Sequence, residues 1–162
     1  MVTRKKVIIA LLELAIVAAV LAYAVAPRSL ERATGGVYDR AAVTGVEVTM
    51  TAANAQAEGE AHRLTLEPGT ADCDGLLDLL ERRYIPFYLV DERWEDKIVS
   101  YRADIEITTE TGVCTVSFTE NDPIRIDADA LQKPRIYRIW NGTFQSGVLT
   151  YLLELEEKQA AG

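Results

Sequence analysis

Val99-Ser100-Tyr101-Arg102-Ala103-Asp104-Ile105-Glu106-Ile107-Thr108 alternates strictly between two kinds of side chain. Val99, Tyr101, Ala103, Ile105 and Ile107 fall on one face, and Ser100, Arg102, Asp104, Glu106 and Thr108 on the other. Only a half-buried strand has a side-chain period of two. Thr109-Glu110-Thr111-Gly112 reads as a turn, and the strand after it carries Cys114, Val116 and Phe118 on one face. A two-residue loop sets Ile107 opposite Cys114 and Ala103 opposite Phe118, whereas a glycine bulge at Gly112 would put Cys114 beside Thr108. The hydrophobic pattern favours the first register, because it gathers the apolar residues on one side.

Working outward, Val46, Val48, Met50 and Ala52 alternate with Glu47, Thr49 and Thr51, and Leu64 and Leu66 mark a second strand beyond the polar stretch 54–59. These two predict a hairpin. After Pro68-Gly69 the period becomes helical, with Cys73, Leu76, Leu77, Leu80 and Tyr84 on one stripe and Thr70 or Asp72 available as a cap. Pro86 closes that segment and residues 87–90 begin another strand, while 91–97, with Trp94 inside, reads as a loop. Short strands at 124–127 and 135–140 extend the sheet. A closing helix follows, capped by Asn141 or Thr143, with Phe144, Val148, Tyr151, Leu152 and Leu155 as its stripe, widened by Leu149 and Leu153. The expected fold class is α+β: an N-terminal transmembrane helix followed by a two-layer domain, an antiparallel sheet with two helices on one face.

The transmembrane expectation rests on residues 7–26, an apolar run of 20 residues whose one carboxylate is Glu13, preceded by Arg4, Lys5 and Lys6. At 1.5 Å per residue such a helix spans about 30 Å, the hydrocarbon thickness of a bilayer. The basic cluster predicts a cytoplasmic N-terminus and an exported C-terminal domain, a bias that Arg28 and Arg32 weaken without reversing. The chain thus divides into a cytoplasmic segment 1–6, an anchor 7–26, a linker 27–42, an extracytoplasmic domain 43–158 and a tail 159–162. Secretion after signal cleavage is the rival reading, since Ala22-Tyr23-Ala24 has the small-x-small pattern of a cleavage site. The run is longer than the usual signal core, which favours the uncleaved anchor.

A carboxylate in an apolar span is costly and reads either as a tolerated near-end group or as a contact. Leu11-Leu12-Glu13-Leu14-Ala15-Ile16-Val17 resembles the N-terminus of type IV pilins, and that resemblance implies that Glu13 guides assembly in a membrane complex. The glycine that family carries at its processing site is missing, since Val7 and Ile8 occupy the matching positions. The order of strand pair, helix, strands and closing helix behind an anchor also resembles small uncharacterised extracytoplasmic domains of Gram-positive bacteria. That resemblance carries localisation and no activity.

Charge narrows the partners. The net charge is −8, yet the first 34 residues hold five Lys/Arg against two Glu, which leaves −11 on the rest. An acidic surface repels nucleic acid and anionic lipid unless a local basic patch reverses the field, and in the acidic remainder only Arg82-Arg83 clusters along the sequence. Nucleic acid and anionic lipid head groups are therefore not expected partners of the domain.

Candidate chemistry is sparse. Cys73 on the helix stripe and Cys114 on the strand it should cover are expected to form a disulfide in an exported domain. The alternatives are two buried thiols, or a redox or metal role; CxxC spacing is absent. His62, the one histidine, reads as a strand residue at the sheet edge. Asp122, Asp127 and Asp129, with Glu120 and Asn121, hint at a calcium loop but lack its ligand order, so they read as turn residues. Ser146 has no nucleophile motif around it, and no phosphate-binding glycine loop occurs. Trp94, Trp140 and Tyr137 are candidate aromatic anchors, with Trp94 the better contact residue and Trp140 expected beneath the last helix. The expectation is a non-enzymatic module that uses no cofactor and binds a protein or envelope partner.

Overall fold

A computed structural model of the chain describes residues 4–52, 61–87, 101–119, 123–139 and 143–160. Trp94, Trp140, Asn141, Asp122 and the expected loop 91–97 lie outside the described residues. The fold is α+β, with seven antiparallel strands in one sheet. In chain order the elements are α1 (Arg4–Val25), α2 (Leu30–Ala33), β1 (Val43–Ala52), β2 (Ala61–Leu66), α3 (Ala71–Leu80), β3 (Tyr84–Pro86), β4 (Tyr101–Thr109), β5 (Gly112–Thr119), β6 (Ile124–Ala128), β7 (Arg135–Ile139) and α4 (Phe144–Ala160). Across the sheet the strands run β2-β1-β4-β5-β6-β7-β3.

The β4–β5 register is the one the hydrophobic pattern favours: Ile107 faces Cys114 and Ala103 faces Phe118. Gly112 ends the two-residue loop at φ +147, and its missing Cβ leaves room for Asp129, whose carboxylate accepts the Val113 N–H at 2.8 Å. Residues 46–50 of β1 pair with Leu66 to His62 on one side and with Ile107 to Ala103 on the other, so Val46, Val48 and Met50 all join the buried face.

That face is the core. Val46, Ile105, Ile107, Val116, Phe118, Ile124 and Ile126 are fully buried beneath Leu76 and Leu80 of α3 and Val148 and Leu152 of α4. The two helices lie antiparallel, since Asp72 and Gly75 at the start of α3 meet Lys158 and Tyr151 of α4. Thr70 caps α3, its hydroxyl accepting the Cys73 N–H at 3.3 Å. Phe144 anchors the start of α4 against Phe118 and Tyr84. Leu153, expected on the buried stripe, is instead exposed, because an added position widens the stripe beyond what the sheet covers.

Two expectations need correction here. Tyr84 belongs to β3 and not to the helix stripe: α3 ends at Leu80, and the strand begins at Tyr84, three residues earlier than expected. The stretch 27–42, expected as a linker, is part of the folded unit from Arg28 onward. Arg28 and Tyr84 exchange two backbone hydrogen bonds of 2.8 Å. Leu30, Ala33, Val37 and Tyr38 are buried, and the Thr34 hydroxyl donates toward Leu30 O and Glu31 O while accepting the Tyr38 N–H. Glycine and mixed polarity hid this packing, because a short irregular segment has no period to read.

α1 is a helix of 22 residues. Among the described residues no helix is both long enough and apolar enough to cross a membrane.

Candidate functional site

The two cysteines are free and buried. No disulfide joins them in this structure. Burial, helped by Asp129, pushes the Cys114 thiol up to about 12, and burial also raises Cys73. Both behave as small apolar core residues.

His62 sits on the edge strand β2 opposite Met50, exposed, with its Nδ1 against the Glu156 carboxylate of α4. Asp127 accepts the N–H of Ala128 at 2.9 Å and Asp129 that of Val113, so both serve their local backbone. Among the described residues no three His, Cys, Asp or Glu gather closely enough to hold a metal. Ser146 is exposed and donates to the Thr143 carbonyl at 3.2 Å. Tyr137, a candidate aromatic anchor, is buried instead: alternation on β7 turns it into the core, edge-on to Tyr84, with its hydroxyl donating to Ala33 O at 3.4 Å. Glu13 lies on α1 among exposed apolar side chains.

Two clefts open at the β3 side of the molecule. One, of about 660 Å³, runs between the end of α3, β7 and the first turns of α4, with Leu79, Ile139 and Phe144 as its apolar wall and Arg82 at its mouth. The other, of about 590 Å³, is polar and bordered by Ser29, Tyr38, Arg40, Glu81, Arg82 and Arg83. In it Tyr38 donates to Glu81 Oε1 at 3.0 Å, and burial followed by this bond and the Glu81 charge raises its phenol above the ordinary range. Arg40 bridges Asp74, Asp78 and Glu81, so Glu81 is held from two sides.

The feature that sequence reading missed lies between these clefts. The Arg28–Tyr84 pairing brings Arg28 to the same edge as Arg82 and Arg83, with Arg32 one helical turn further along the chain, and none of the four has a carboxylate within ion-pair reach among the described residues. Along the sequence they are two separated pairs, and nothing in composition signals that a strand bridge joins them. Comparison adds nothing to this geometry: no family model, curated protein or solved structure matches the chain.

Proposed function

We propose that the chain is a single-pass membrane protein, anchored by residues 7–26, that displays its α+β domain outside the cytoplasm as a non-enzymatic module for a protein or envelope partner. One observation carries the anchor. Ile9, Leu11, Leu12, Leu14, Ile16, Val17, Val20, Leu21 and Val25 of α1 are each more than half exposed, and they point all round the helix. The domain closes its core without them, starting at Leu30. An apolar surface of this extent is unstable in water and calls for another apolar medium, for which lipid is the medium that accepts every side of a helix. The basic residues at 4–6 favour a cytoplasmic N-terminus, and the acidic domain suits the solvated side.

The test is extraction at alkaline pH combined with protease treatment of spheroplasts carrying a C-terminal tag. Retention in the membrane pellet with the tag digested from outside is the expected result. A chain beginning near Val25 and recovered in the medium would establish cleavage and remove the anchor. Crosslinking in intact cells through the same tag, read by mass spectrometry, identifies the partner.

A second reading is favoured by Glu13, a carboxylate exposed on a helix otherwise surrounded by leucine, isoleucine, valine and alanine. In it α1 contacts other helices of a membrane complex through that side chain. Glu13→Ala that exports normally yet fails to assemble supports this reading, and unchanged assembly ends it.

A further inference from the structure

The charges of the folded unit are sorted across the sheet. Glu154, Glu156 and Glu157 collect at the end of α4, which reaches the β2 edge through the His62–Glu156 pair. Arg28, Arg32, Arg82 and Arg83 collect at the opposite edge, beside β3. Arg138, directly across from Ile85 of β3, adds a fifth cation there and lies 4.0 Å above the ring of half-buried Phe87. The acids nearest this edge do not outnumber its arginines, since Glu81 is engaged by Tyr38 and Arg40, which leaves Glu31 and Asp39 against five guanidinium groups. An acidic domain therefore carries one positive edge.

That edge is where α1 arrives. Two residues separate Val25, the last of the helix, from Arg28, whose backbone is bonded to β3, so the edge lies within about 10 Å of the helix end. The folded backbone from Arg28 leaves no slack for the domain to stand away. Headgroup layers are of comparable depth, about 5–8 Å on each side of the hydrocarbon. Guanidinium groups are suited to phosphate through paired N–H donors, and an aromatic ring under an arginine suits a boundary between water and lipid.

We infer that the β3 edge, with Arg28, Arg32, Arg82, Arg83 and Arg138 over Phe87, seats on the anionic phosphate headgroups of the leaflet that α1 leaves. The seat rests on the anchor reading above. It fixes the orientation of the domain: β3 faces the bilayer, and the acidic β2 edge, with the far end of α4, points away toward a partner. Electrostatic repulsion between the folded unit, −10 from Arg28 onward, and an anionic leaflet favours the same orientation, because it drives the acidic edge outward.

The experiment uses the full chain in nanodiscs. Glu31→Cys, exposed on α2, takes a thiol-directed dye while Cys73 and Cys114 stay buried and unlabelled. Quenching by a headgroup nitroxide lipid is compared in discs of phosphatidylcholine alone and of phosphatidylcholine with about one-third phosphatidylglycerol. The seat predicts quenching about twofold stronger with phosphatidylglycerol, falling as salt rises, and reduced to the phosphatidylcholine level by Arg82→Glu with Arg83→Glu. Both arginines are exposed, so the variant folds, which circular dichroism checks. Equal quenching in the two lipids, or quenching indifferent to charge reversal, overturns the seat while leaving the anchor intact. A chain that does not enter nanodiscs at all overturns the anchor, and the seat with it.

Discussion

Among the described residues α1 and α4 are the two long helices, and their side chains are spent differently. α4 buries Phe144, Val148, Leu149, Leu152 and Leu155 and turns Glu154, Glu157 and Lys158 to water, so its apolar residues return at three- and four-residue steps. α1 has more apolar residues and no such return, and none of its described side chains is buried. Periodicity, more than apolarity, decides which helix belongs to a core. A stripe matches a sheet, which offers one face, whereas an all-round apolar surface matches a medium that is the same on every side.

The largest expected effect breaks this symmetry of composition directly. Leu152→Ala removes a side chain with no exposure beneath the centre of α4 and should lower unfolding stability by about 3 kcal/mol. Leu14→Ala, on α1, should leave the urea midpoint of the detergent-solubilised chain unchanged. Equal losses would mean that α1 packs on the domain after all, and the contrast between the helices would fail.

Where α1 stops and the folded unit starts is sharpened by Thr34. Its buried hydroxyl joins α2 to Tyr38 through three hydrogen bonds, and Thr34→Val should cost about 2 kcal/mol because it strands a buried N–H. In a linker the same change would cost nothing measurable. Urea titration decides, and amide exchange in residues 28–42 should show protection lost there first.

The same division explains what the sequence disclosed. β1, β2, β4 and β5 pair as consecutive hairpins with strict alternation, so pattern alone set the Ile107–Cys114 register. α3 and α4 were legible from their stripes for the same reason. β3 was not, since three residues ending in Pro86 carry no period and its partners, Arg28 and β7, are far along the chain. The basic edge depends on that strand and was equally hidden. Cys73 and Cys114 were legible in the same way, one on a stripe and one on a face, and both are buried where those meet the core.

Alkaline pH sharpens the cysteine result. Cys114, Tyr84 and Tyr38 all have folded-state pKa values raised by burial, so the unfolded chain releases its protons first and stability falls as pH rises. For Cys114 the window opens at its ordinary value near 9 and closes at about 12, with a loss of about 1.4 kcal/mol per pH unit inside it. Urea midpoints at pH 8 and pH 10 measure the slope. Without reductant, a thiol reagent at pH 8 should find no reactive cysteine in the native chain and two after unfolding. A count of zero after unfolding would mean a disulfide.

The smallest effect lies at the seam of α3 and α4, where a sign change is the signature. Gly75 sits under Tyr151, and a Cβ built there would stand 2.9 Å from the Tyr151 Cζ, closer than packed atoms allow. Gly75→Ala gains about 1 kcal/mol of helix propensity but pushes aside a tyrosine whose hydroxyl donates to Asp72 O at 3.0 Å, so the net change should be a loss of about 1 kcal/mol. With Tyr151→Ala already in place the obstruction is gone, and the same substitution should stabilise by up to about 1 kcal/mol. The matching change in α1, Ala18→Gly, should cost helix propensity alone, by the same amount in every domain background, since no described side chain of α1 is buried against α3 or α4. A cycle that couples Ala18 to Tyr151 would show the two helices sharing a core, which is the one result that the difference between them forbids.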